Sequence, residues 1–127
     1  MNTVTHLVML GLAGAVGTLL RAGCNGIAIR WYGTGFPWGT LAVNVAGSFA
    51  FGMIFGILRG RGGLDAPGVE AILLVGLLGG FTTFSSFAFQ SVELAESGRM
   101  LAALAYVAAT NVAAIAAIWA GLRVSGA

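Results

Sequence analysis

Long apolar runs dominate the chain, and the polar residues fall between them. Four runs, residues 7–29, 38–58, 69–94 and 100–122, reach the length a helix needs to cross a bilayer, roughly 20 mainly apolar residues. The linkers 30–37, 59–68 and 93–99 are short and carry most of the charges and both prolines. None is large enough for a second domain, so the pattern predicts an all-α integral membrane protein in which residues 1–127 form a single domain of four transmembrane helices.

Composition excludes a soluble domain: 58% of the residues are hydrophobic and only 8% charged, far from the balance of a water-soluble fold. The first run reads as a span and not as a cleaved signal peptide, because no basic residue precedes it and it is as long as the others. Cys24, the single cysteine, has no partner for an intrachain disulfide and reads as a small packing residue, which leaves the redox compartment open. Gly is frequent in the first three runs and Ala in the fourth, and such small residues let helices approach closely in lipid.

Inside the third run, Gly79-Gly80-Phe81-Thr82-Thr83-Phe84-Ser85-Ser86-Phe87 sets two glycines, four hydroxyls and three phenyl rings at membrane depth. Backbone in lipid must be paired or else line a cavity or face protein, and Gly costs about 1 kcal/mol relative to Ala in a helix. The stretch therefore predicts a third helix broken near residues 79–83, at Gly79-Gly80 in particular, with carbonyls freed to bind a cation.

Other polar residues recur at helical spacing. Thr40, Asn44 and Ser48 are four apart on the second helix, Thr83, Ser86 and Gln90 follow a similar line on the third, and Tyr106 and Thr110 lie one turn apart on the fourth beside Asn111. Each reads either as an interhelical hydrogen bond, worth on the order of 0.6 kcal/mol, or as part of a permeation path; the amides of Asn44 and Gln90 favour the path. Phe84 and Phe87 are either packing residues or rings whose positive edges face an anion. Arg21, the one charge well inside a run, either snorkels to the interface or attracts anions at a pore mouth.

The arginines are evenly shared. With alternating helices, one side carries Arg59, Arg61 and Arg123 and the other Arg30 and Arg99, with Arg21 embedded near that second face. An excess of Lys and Arg normally orients a membrane protein. An excess of one residue leaves two readings: a single weakly biased topology, or insertion both ways and pairing as an inverted dimer. No acid precedes Asp65, and Asp65, Glu70, Glu93 and Glu96 fall in or near loops, so the embedded carboxylate of a proton-coupled exporter is missing. His6 is the only histidine, and without a ligand cluster, an acid–base pair or an activated nucleophile the sequence points away from zinc and from an enzyme.

Three motifs, in order, resemble the Fluc fluoride channels, also called CrcB: Gly14-Ala15-Val16-Gly17-Thr18-Leu19-Leu20-Arg21, Phe36-Pro37-Trp38-Gly39-Thr40-Leu41-Ala42-Val43-Asn44, and Gly79 through Phe87, with Tyr106 in addition. The resemblance spans nearly the whole chain. It implies a passive, fluoride-selective channel in the cell (inner) membrane, built as an antiparallel, dual-topology homodimer with two pores and a structural sodium ion at its centre. Its partners would be fluoride, membrane lipid and a second copy, with no nucleic acid. Carried onto these residues, Asn44 is the pore amide, Phe84 and Phe87 are the rings that face fluoride, and Thr40, Ser86, Gln90, Tyr106 and Thr110 make up the polar track. The backbone carbonyls of Gly79 and Thr82 from both subunits hold sodium, and Arg21 stands at the pore entrance. The cellular role implied is protection against fluoride.

The chain departs from the family pattern in two places. Ala88 and Gln90 stand where a serine and a glutamate are usual, and Ala114 replaces a second hydroxyl one turn past Thr110. Two other readings stay open: a small multidrug exporter, which would need an acid in the first helix, and a non-transporting membrane assembly protein, which would need neither Asn44 nor the phenylalanines.

Overall fold

The computed structural model describes residues 2–60 and 67–126, so Arg61 and Asp65 lie outside the described residues. Helix α1 (Thr3–Tyr32) starts at Asn2, whose side-chain oxygen accepts from the Thr5 N–H at 2.8 Å, and stops at Gly33, whose φ of 75° only glycine adopts without strain. Helix α2 (Trp38–Gly60) follows a short turn. The third span is composite: α3 (Pro67–Glu70), a π-helical stretch (Ala71–Leu78), α4 (Gly79–Phe81) and, after an interruption, α5 (Phe84–Glu96). Helix α6 (Met100–Val124) closes the chain, reached through Gly98 at φ 78°.

Thr3–Tyr32, Trp38–Gly60, Gly68–Glu96 and Met100–Val124 are long and apolar enough to cross a membrane, and the described residues contain no strand. All four predicted spans are present, each running a few residues beyond its apolar run, and α1 does so as far as its Asn2 and Gly33 caps. Arg21 consequently sits about three turns inside α1, counted from Tyr32.

The break lies later than the glycines predict. Gly79 and Gly80 remain helical, and the chain is extended at Thr82 (φ −84°, ψ 160°) and Thr83 (φ −152°, ψ 118°). Gly80 serves contact instead: a Cβ there would strike the Gly14 carbonyl of α1. On the other side of the bundle α2 and α6 touch main chain to main chain. A Cβ on Gly52 would strike the Ile118 carbonyl, and one on Gly121 the Phe49 carbonyl.

The interior is small. Thr40, Val43 and Tyr106 are almost fully buried, and Phe87, Leu94 and Ala103 pack with Tyr106 into one cluster. Large apolar side chains such as Leu101, Ile115 and Trp119 are exposed on the outside, the arrangement that suits lipid. The alternation of the spans places Arg30 and Arg99 at one end and Arg59 and Arg123 at the other. Arg59 stacks over Phe55 and Arg123 over Trp119, at 4.6 and 5.3 Å.

Candidate functional site

The interruption of the third span is held by residues on both sides of it. Asn44, on α2, donates from Nδ2 to the Thr83 carbonyl at 3.0 Å and accepts the Thr83 N–H on Oδ1 at 2.8 Å. Thr83 in turn caps α5: its Oγ1 accepts the Ser86 N–H at 3.2 Å and donates to the Ser86 Oγ at 3.1 Å. Two carbonyls lose their helical partners as a result. In an uninterrupted helix Thr83 N–H would close on the Gly79 carbonyl and Ser86 N–H on the Thr82 carbonyl, but Asn44 and Thr83 take those donors. The middle of the span therefore presents carbonyls at the end of α4 and the positively polarised start of α5 side by side.

A cavity of about 390 Å³ opens beside the break. Asn44, Ser48, Thr82, Thr83, Thr110 and Asn111 supply its polar wall, Phe84 and Phe87 an aromatic one, and Gly79 and Ala114 also border it. The Thr110 hydroxyl is buried with no hydrogen-bond partner among the described residues. An unpaired buried hydroxyl is rare and costs free energy, so it asks for a ligand. Asn111, by contrast, donates to the Val107 carbonyl of its own helix at 2.7 Å.

A second cavity, about 510 Å³, lies at the end of the bundle that carries the 30–37 and 93–99 turns. Thr40, Gln90 and Asn25 line it, together with Glu93 and Arg99, and the Arg99 guanidinium donates to the Gly35 carbonyl. Between the cavities stands Tyr106, fully buried, whose hydroxyl donates to Gln90 Oε1 at 3.0 Å. Its ring lies 5.3 Å from that of Phe87 and 5.4 Å, edge-on, from that of Phe36.

The residues singled out in the sequence thus divide. Asn44, Phe84, Phe87, Thr110, Gly79 and Thr82 surround the first cavity, Thr40 and Gln90 line the second, Ser86 sits behind Thr83, and Tyr106 joins the two groups. Arg21 is half-buried on α1 and borders neither cavity. Phe84 and Phe87 do not share an environment: their rings are 5.5 Å apart, yet Phe87 is buried while Phe84 is 77% exposed. Sequence reading misses Asn25, although its position one turn after Arg21 is the signal that finds it. It also misses the capping role of Thr83, which depends on a partner far away in the chain.

Comparison with known proteins names the architecture. Residues 8–122 match the family model described as CrcB-like protein, Camphor Resistance (CrcB). The chain belongs to the CrcB family. Among relatives of this CrcB chain, the fluoride-specific ion channel FluC of Nitratidesulfovibrio vulgaris is 43% identical over 116 residues, covering 91% of this chain and 93% of that one. The proteins of the same name from Chelativorans sp. and Paracoccus denitrificans are 45% and 44% identical over 117 residues, covering 92% of this chain and 93% and 91% of theirs.

Proposed function

We propose that this CrcB-family chain is a passive, fluoride-selective channel that lets fluoride leave the cell. The observation that carries the path is the run of hydroxyl and amide side chains from Ser48 through Asn44, Thr110 and Tyr106 to Gln90, along which one buried hydroxyl has no partner among the described residues. The ion comes from the relatives, which bear the name fluoride-specific ion channel. Fluoride is small and strongly hydrated, so a path has to offer close N–H, O–H and ring-edge donors in place of water, yet release the ion. A wall without fixed charge does both. A membrane held negative inside then drives the anion outward by about 2.3 kcal/mol per 100 mV.

The working unit is an antiparallel, dual-topology homodimer with two pores, in the cell (inner) membrane. Exposed Phe84 beside an open cavity, and two described arginines at each end of the bundle, favour that arrangement. In it Asn44 and the two rings contact fluoride, Thr40, Ser86, Gln90, Tyr106 and Thr110 extend the track, and Arg21 faces an entrance. A structural sodium fits the chemistry of the break: the Gly79 and Thr82 carbonyls have lost their helical donors, and neutral carbonyl oxygens are hard ligands. Bound there, sodium would supply a positive charge that ties two copies together.

Purified protein in liposomes tests the reading. Fluoride efflux without a proton gradient, and no comparable chloride efflux, is the expected result. Absence of fluoride efflux from well-folded protein removes the reading, and cation export driven by a gradient replaces it with an exporter.

A further inference from the structure

We propose that the end cavity is a second anion site and that the Asn25 amide contacts the ion there. The proposal rests on the reading of the chain as an anion path and adds a residue to it. Asn25 is half-buried on α1 and lines the cavity, and its side chain makes no hydrogen bond among the described residues. An amide has two N–H donors to offer, and these have only the cavity to serve. Gln90, also lining the cavity, has its oxygen occupied by the Tyr106 hydroxyl at 3.0 Å, so its own N–H donors are the part left free.

The fit of Asn25 is enforced by its neighbour. A Cβ on Gly39 would run into Asn25 Oδ1, so the bare glycine makes room for this amide. The charged groups of the cavity are Glu93 and Arg99, one of each sign and both exposed, and Arg99 is also tied to the Gly35 carbonyl. They largely offset one another, and recognition falls to the neutral amides deeper in. Such a site suits a small, partly dehydrated anion that has to move on: N–H donors bind it, and no full charge traps it.

Fluoride efflux from liposomes, measured against fluoride concentration, separates the outcomes. The set comprises the parent, Asn25→Ala, Asn25→Asp and the lipid-facing control Ile27→Ala. Asn25→Ala should raise the fluoride concentration for half-maximal flux about tenfold, the usual scale for losing one hydrogen bond to a charged group. Asn25→Asp should depress flux further at alkaline pH and less at acid pH, while Glu93 and Arg99 are common to every variant. Asn25 variants that behave like Ile27→Ala, with the parent conducting, overturn this site alone. A parent without fluoride flux overturns the channel reading instead. Should Asn25→Asp not fold, Asn25→Ser decides, because it keeps a donor: flux nearer the parent than that of Asn25→Ala supports the site, and flux equal to it overturns the site.

Discussion

Asn44 and Thr83, 39 residues apart in sequence, are joined by a two-way bond in which the side-chain amide mimics a neighbouring strand and takes both the N–H and the C=O of one extended residue. Replacing it therefore reports on the break before it reports on any ion. Asn44→Ala should leave two buried backbone groups unpaired, lower stability by about 1–3 kcal/mol and speed hydrogen exchange at the Thr83 amide. Asn44→Asp keeps an acceptor for that amide but sets a carboxylate against the Thr83 carbonyl, so exchange stays slow while fluoride flux is lost. Equal exchange in both variants would contradict the geometry.

Thr110 separates stability from transport. Its buried hydroxyl has no partner among the described residues, so Thr110→Val, which keeps the shape, should leave thermal stability unchanged or raise it by about 1 kcal/mol. Fluoride flux should nevertheless drop several-fold. A thermal melt in detergent paired with liposome efflux checks both, and a destabilised Thr110→Val would mean that the hydroxyl is bonded after all.

The two rings should part company. Phe87→Ile alters a buried residue packed on Tyr106 and should cost about 1–2 kcal/mol, whereas Phe84→Ile, on the open surface, should melt as the parent does. Both should lose fluoride flux, since an aliphatic side chain has no positive edge. Phe84→Ile with full flux would return that residue to lipid or packing.

Gln90 bears on pH. Gln90→Glu keeps the oxygen that accepts from Tyr106 but replaces a permanent N–H donor with a group that donates only when protonated. Once ionised, the carboxylate repels the anion, so flux in the variant should fall as pH rises while the parent changes little. Superimposable profiles of the two proteins, measured as efflux at several pH values, would place Gln90 away from the ion.

Orientation is open to a direct count. A tag at the C-terminus of α6 should be accessible on both sides of the membrane in comparable amounts. Every copy on one side would exclude an antiparallel pair.

The spans were legible because hydropathy alone sets them, and α1 outruns its apolar run only as far as the Asn2 and Gly33 caps. The break was legible as a polar segment at membrane depth over residues 79–83, and the structure sets it at the threonine end of that range and not at the glycine pair. Helix propensity condemns Gly79-Gly80, yet both stay helical, with Gly80 packed closely on Gly14, and the chain opens at Thr82-Thr83 where Asn44 pairs the Thr83 N–H and C=O. That pairing is a tertiary contact, which spacing along one helix does not record. The divergence of Phe84 from Phe87 has the same cause: three residues is near one turn but not a full one, and the position of α6 decides which ring it covers. Asn25 escaped notice because its cavity exists only once Gln90, Glu93 and Arg99, far off in sequence, close over the turn that follows α1.

The contacts of Gly52 with the Ile118 carbonyl and of Gly121 with the Phe49 carbonyl leave no side chain between α2 and α6 at those levels. Elsewhere a groove can widen or narrow as rotamers change; here the spacing is ruled by peptide planes. The calibre of any passage framed by these helices is thus anchored at two rigid points, so mutational drift on the lipid-facing side can proceed without retuning it. Even one added methyl at either glycine would act as a wedge.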